Sequence, residues 1–185
     1  MLIKICGVID PKTALFAAQN GANFIGMVLT PGYRRSVTRP QAQKIVKAAK
    51  SGGAEPVAVF VGATAEEIEL TCHQLGIQLV QAYQLDGELP SHLKRFFINE
   101  SAAEGHFSLM ESENPGCGEM IDVKTLTPSP KKPWFLAGGL HPQNVKEVIQ
   151  LYRPDGVDVS SGVEHKSRKN CALILQFISE VKSCE

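Results

Sequence analysis

The sequence lacks any excess of charge of one sign: 19 lysines and arginines stand against 19 aspartates and glutamates. With no basic field to draw a polyanion, nucleic acid is not an expected partner, and any anion site has to be local. Long apolar runs are missing too. No stretch approaches the roughly 18 residues of a membrane span. The apolar run in the opening MLIKICGVIDPK is too short for a signal peptide, so no membrane partner is expected and the protein reads as soluble and cytoplasmic. Cysteine is sparse and scattered. Cys6, Cys72, Cys117, Cys171 and Cys184 are odd in number, with no CxxC pair and no metal-ligand spacing to the histidines at 73, 92, 106, 141 and 165. Reduced thiols follow, with no metal and no cofactor implied. Low-complexity tracts are absent, and the one linker-like stretch is the Pro-rich LTPSPKKP at 126–133.

What is present is alternation. A chain of 185 residues with 43% hydrophobic content buries one good core but not two, so residues 1–185 are read as one domain. Short β-type runs occur at Leu2 to Ile5, Asn23 to Leu29, Pro56 to Phe60, Ile77 to Gln81, Arg95 to Ile98, Phe107 to Glu111, Pro133 to Ala137 and Asp155 to Val159. Amphipathic stretches separate nearly all of them, with starts marked by Asp10 before Pro11, Thr38 before Pro40, and the capping box Thr64-Ala-Glu-Glu67. Parallel neighbours need crossovers, so this order predicts a parallel sheet. Eight units favour closure into an α/β (β/α)8 TIM barrel, with an open doubly wound sheet as the other arrangement. Between Ile98 and Phe107 only NESAAEGH is available, so helix five is expected to be shortened or replaced by a loop. The chain is also short for such a barrel, whose usual lower size is about 200 residues, so its connections have to be lean.

Two late segments repeat one pattern. WFLAGGLHPQNV and PDGVDVSSGVE each end an apolar run in small residues and glycine, leaving bare backbone N–H groups where the chain turns toward a helix. On neighbouring strands seven and eight these form a phosphate cradle, centred on Gly138, Gly139, Ser161 and Gly162. Taken singly, those glycines read equally well as tight-turn residues. Reactive groups of such a barrel stand at the C-terminal strand ends, which singles out Cys6, Arg35 and Glu111. A thiol there followed by Gly7 suits a general base; from spacing alone, a buried small apolar residue is the competing reading of Cys6. For Glu111 the plain alternative is a solvated loop carboxylate, and for Arg34 and Arg35 a surface charge pair.

KICG at 4–7, VAVFVG at 57–62, FLAGGLHPQNV at 135–145 and DVSSGVE at 158–164 together resemble the phosphoribosylanthranilate isomerase family across essentially the whole chain. The resemblance implies a cofactor-free Amadori rearrangement in tryptophan biosynthesis. In that family the cysteine of KICG, here Cys6, is the general base, and a strand-six aspartate is the acid. LMES at 109–112 puts Glu111 in the acid's place, followed by PGCG at 115–118 where the family has GGTG. The extra methylene shifts the proton by about 1 Å, and a misplacement of that size can cost roughly 100-fold in rate. The family arginine that meets the anthranilate carboxylate corresponds to Arg35, with Arg34 replacing a proline. QLHG after strand four reads Gln81-Ala82-Tyr83-Gln84, keeping Gln81 and losing the histidine and glycine. Ser160, Ser161, Gly162, Gly138 and Gly139 carry over as phosphate-side residues. The implied partner is a small phosphorylated substrate; the chain could be a monomer or a homodimer. Two other functions fit these departures: a catalytically weakened barrel that binds a phosphorylated metabolite, and a related phosphoribosyl isomerase with shifted substrate.

Overall fold

Side-chain alternation in the first strand sets the architecture. In β1 (Leu2–Ile5), Ile3 and Ile5 are buried on one face while Lys4 is buried on the other, a period-two split that needs apolar cover outside and a charge partner inside. A computed structural model supplies both, and describes residues 1–112 and 133–184. The strands β1, β2 (Phe24–Val28), β3 (Glu55–Val61), β4 (Leu79–Tyr83), β5 (Lys94–Ile98), β6 (Phe107–Met110), β7 (Trp134–Leu136) and β8 (Gly156–Val159) form one closed parallel barrel in sequence order. Register from Leu2 against Gly156 to Ile5 against Val159 joins the first strand to the last, which decides for the barrel over the open sheet.

The helices form where the sequence signals them. Asp10 caps α1 (Pro11–Asn20) by accepting from the Thr13 amide at 2.9 Å. Capping boxes open α2 (Arg39–Ser51) at Thr38 and Gln41, and α3 (Ala65–Leu75) at Thr64 and Glu67. α4 (Val145–Tyr152) follows β7, and α5 (Cys171–Lys182) follows β8. No helix occupies residues 99–106, as expected of the fifth unit. The fourth unit departs from the alternation as well: residues 84–93 are turns and extended chain. Gly87 at φ +90° and Pro90 interrupt any helix there, and Asp86 instead turns back to accept the Ala65 amide at the start of α3. Among the described residues no helix is long and apolar enough to cross a membrane.

One strand is shifted against its sequence reading. β4 begins at Leu79, not Ile77, because Gly76 closes α3 in the left-handed region and the Ile77 amide donates to Cys72 of that helix. Gln81 therefore lies within the strand, and Tyr83 ends it. The barrel interior is layered. Phe24, Phe96, Phe107 and Phe135 pack edge-on and stacked at centroid separations from 4.8 to 5.8 Å, filling the N-terminal half. Gly156 makes room for them, since any side chain there would run into the Phe135 ring. Above this layer the interior turns polar.

Candidate active site

The polar layer starts with an ion pair. Lys4 Nζ meets Asp158 Oδ2 at 2.7 Å with both side chains buried, and the ammonium stands 5.6 Å from the Phe96 centroid. Burial opposes the lysine's charge, but Asp158 and Cys6 outweigh it, so its pKa is raised overall. Above the pair opens a cavity of about 650 Å³ at the C-terminal mouth of the barrel. Cys6, Arg35, Gln81, Glu111, Gly138, Gly139, Ser160 and Ser161 all line it. Gly162 does not; it packs against the Leu140 carbonyl.

Cys6 follows β1 and faces Gly26, where an added Cβ would stand 2.8 Å from the sulfur. Burial pushes the thiol pKa up and Asp158 adds to this, while Lys4 and Lys169 pull it down. Glu111 follows β6, 7% exposed. Its amide donates to Asn99 Oδ1 at 2.9 Å, and the Asn99 amide donates to Leu109, so the loop that stands in for helix five fixes the carboxyl's base. Burial raises Glu111 from 4.5 to about 7; the Tyr83 hydroxyl and Lys4 work against the rise and Asp158 with it. A carboxyl so placed is partly protonated at neutral pH and can donate a proton. Oε1 of Glu111, Oε1 of Gln81 and Oδ1 of Asp158 are buried with no hydrogen-bond partner, and all three residues border the cavity. Buried acceptors in this state call for donors such as sugar hydroxyls.

Gly138 and Gly139 hold φ of +89° and +61°, the conformation only glycine adopts freely. Their amides, with those of Ser161 and Gly162, have no acceptor among the described residues. Gly162 is required for another reason: a side chain on it would collide with the Leu140 carbonyl, so the loops after β7 and β8 touch through bare backbone. Ser161 also opens a short 3-10 helix (Ser161–Val163), and it and the preceding Ser160 line the cavity. Ser160 turns its hydroxyl away, donating to the Cys6 carbonyl at 3.1 Å.

Arg35 stands over Gly7, which has no side chain to block it, with the Ser160 hydroxyl bordering the same space. Its fork already holds a carboxylate: Nε and Nη2 reach Glu164 at 2.7 and 3.2 Å. Arg34 joins from outside, Nη2 to Glu164 at 2.8 Å and Nη1 to the Ser167 carbonyl at 3.0 Å, and Lys169 adds a third cation at 2.8 Å. This ties the loop after β2 to the hairpin β9 (Glu164–His165) and β10 (Arg168–Lys169). Burial pushes Glu164 up, but its Arg35, Lys169 and Arg34 bonds outweigh that and hold it at about 2. Lys169 falls to about 8, lowered by burial against the pull of Glu164. Arg35, expected to read a substrate carboxylate, is engaged by the protein's own Glu164.

Residues 92–180 match the model of the N-(5′-phosphoribosyl)anthranilate (PRA) isomerase family. The sequence is 36% identical to the N-(5′-phosphoribosyl)anthranilate isomerase of Chlamydia felis, over 98% of this chain and 97% of that protein. The chain belongs to this family. The phosphoribosyl anthranilate isomerase of Thermus thermophilus shares the fold at a TM-score of 0.80 with 29% identity, each chain covered completely. A second solved phosphoribosyl anthranilate isomerase, 27% identical with a TM-score of 0.77 over 99% of this chain and all of its own, was crystallised with reduced 1-(o-carboxyphenylamino)-1-deoxyribulose 5-phosphate.

Within this isomerase family framework, several site residues escape a sequence reading. Lys4, Asp158, Tyr83, Glu164, Lys169 and Asn99 all act on the cavity or its liners. Lys4 and Asp158 carried a signal in hindsight, each a charge within an apolar run. Among the described residues no group of His, Cys, Asp or Glu could hold a metal ion. Cys117 and the PGCG segment at 115–118 lie outside the described residues, as do 126–132 of the Pro-rich stretch.

Proposed function

We propose that this chain isomerises N-(5′-phosphoribosyl)anthranilate to 1-(2-carboxyphenylamino)-1-deoxyribulose 5-phosphate, the Amadori step of tryptophan biosynthesis, without a cofactor. One observation carries the reading: a thiol and a carboxyl with a neutral-range pKa share a cavity walled on one side by unpaired backbone amides. The phosphate rests on the amides around Gly138, Gly139, Ser161 and Gly162, where turned-in N–H groups favour an anion. The anthranilate end points to the Arg35 wall. Glu111 gives its proton to the furanose oxygen, the C1–O bond breaks, and the ring opens to a Schiff base with the aniline nitrogen. Cys6 as thiolate removes the C2 proton, which leaves an enolamine; tautomerisation places a proton on C1 and makes C2 the ketone. Burial holds the Cys6 pKa above its ordinary value, and Lys4 and Lys169 are the groups that oppose this and ease formation of the thiolate. Gln81 and Asp158 accept the ribose hydroxyls through their unpaired oxygens.

Loss of substrate fluorescence in the presence of purified protein measures the conversion. Turnover by the native chain is expected, with Cys6→Ser inactive yet still binding the product, since a serine hydroxyl ionises far too weakly to replace a thiolate. An active Cys6→Ser would overturn the assignment of the base. The engagement of Arg35 by Glu164 favours one competing reading, a barrel that binds a phosphorylated metabolite without converting it; binding with no turnover in the native protein decides for that. Scattered free cysteines at 6, 72, 171 and 184 accord with a reducing, cytoplasmic setting.

A further inference from the structure

Two departures from the family pattern meet inside the cavity: tyrosine at 83 in place of a histidine, and glutamate at 111 in place of an aspartate. Gln81 and Tyr83 follow one another on the inward face of β4, and both line the cavity. Gln81 Nε2 donates to the Tyr83 hydroxyl oxygen at 2.7 Å. The phenol is the acceptor in that bond, so its own proton is free for a second partner. Glu111 lines the same cavity two strands away, with its Oε1 buried and without a hydrogen-bond partner, and the phenol and this carboxyl act on each other electrostatically. Glu111 is anchored at its amide by Asn99, so what stays unrestrained is the side chain with its additional methylene.

We propose that Tyr83 is the positioning residue for Glu111: held by Gln81, its hydroxyl fixes the longer acid at the place where a proton must be delivered, and stabilises the carboxylate left after delivery. The inference rests on Glu111 being the acid of the proposed reaction. It makes Tyr83 and Glu111 a matched pair, in which either change alone misplaces the proton. The other charged groups facing Glu111 are Asp158 of β8 and Lys4 of β1. Burial pushes the phenol's own pKa up, so Tyr83 remains a donor over the working pH range.

The test is Tyr83→Phe, which keeps the ring and removes the hydroxyl, with folding checked by thermal melting. Expected is a loss in kcat between about ten- and 100-fold with a smaller change in KM, the range that misplacement of a reacting group produces. Losing a donor to the carboxylate raises the pKa of Glu111, so the basic limb of the kcat/KM profile moves up by about one pH unit. Glu111→Asp in the native background also loses rate, while Glu111→Asp combined with Tyr83→His loses less than the product of the two single changes. An unmoved basic limb together with multiplicative losses overturns the pair. Should the native protein not turn over at all, the proposed function fails, and NMR titration of the Glu111 carboxyl in native and Tyr83→Phe protein still decides: a pKa that rises in the variant upholds the pairing, and an unchanged one removes it.

Discussion

Glu111 is 7% exposed and titrates at about 7 against an ordinary 4.5, chiefly because burial disfavours its ionised form. The folded state therefore binds this proton more tightly than the unfolded chain does. Its contribution to stability is complete below about pH 4.5 and is lost as pH rises through about 7, an effect of at most about 3 kcal/mol. Glu111→Gln removes the titration while keeping the shape. Urea unfolding is expected to show this variant more stable than the native protein at pH 8, with the gap closing toward pH 4, while turnover is lost because the amide has no proton to give; equal stability at both pH values would mean the carboxyl is not strained by burial. Cys6, Arg35 and Glu111, which all line the cavity at the barrel mouth, were singled out in the sequence by their expected places at or after strand ends. Lys4 was not. A lysine in LIKI reads as an outward polar residue, and the partner that makes its burial tolerable, Asp158, lies 154 positions away.

At the scale of elements, caps and glycines announced themselves and strand register did not. Asp10, Thr38 and Thr64 cap their helices because a side-chain oxygen three residues before a free amide has only one useful place to be. The apolar run from Ile77 onward offers no such mark, and Ile77 belongs to the turn after α3, so Tyr83 came to the strand end unannounced. The loop at 84–93 was hidden for the same reason: its start depends on where β4 stops. Gly162 shows the limit of reading a glycine by its conformation. It sits where two loops press backbone to backbone against Leu140, and what it provides is room. Gly162→Ala must push the loops after β7 and β8 apart, at a cost of about 2 kcal/mol or more in thermal or urea unfolding. The proposed phosphate wall opens with them, so KM is expected to rise about tenfold or more while the pH dependence keeps its form. A variant with native KM would show that the cradle does not need both loops in contact.

For the whole molecule, the decisive feature is the seam between β1 and β8, which carries both backbone pairing and the Lys4 and Asp158 ion pair. Lys4→Met leaves a buried aspartate without its cation and is expected to lower stability by about 3–5 kcal/mol; adding Asp158→Leu should return most of it, because paired removal leaves no orphaned charge. Denaturant unfolding of the three proteins checks this, and a single variant no weaker than the double would locate the seam's strength in its backbone bonds alone. Closure of eight strands was legible from alternation, whereas the seam's chemistry required knowing which residues close it. That seam also orders events during synthesis. Cys6 is made early, but the floor beneath it is unfinished until Asp158 and the loop after β8 have followed, so a nascent chain holds this thiol long before it has a cavity around it. The cavity is thus withheld until the last strand docks, and translation that stops short of β8 yields a fragment with an unpaired inner lysine, marked for unfolding.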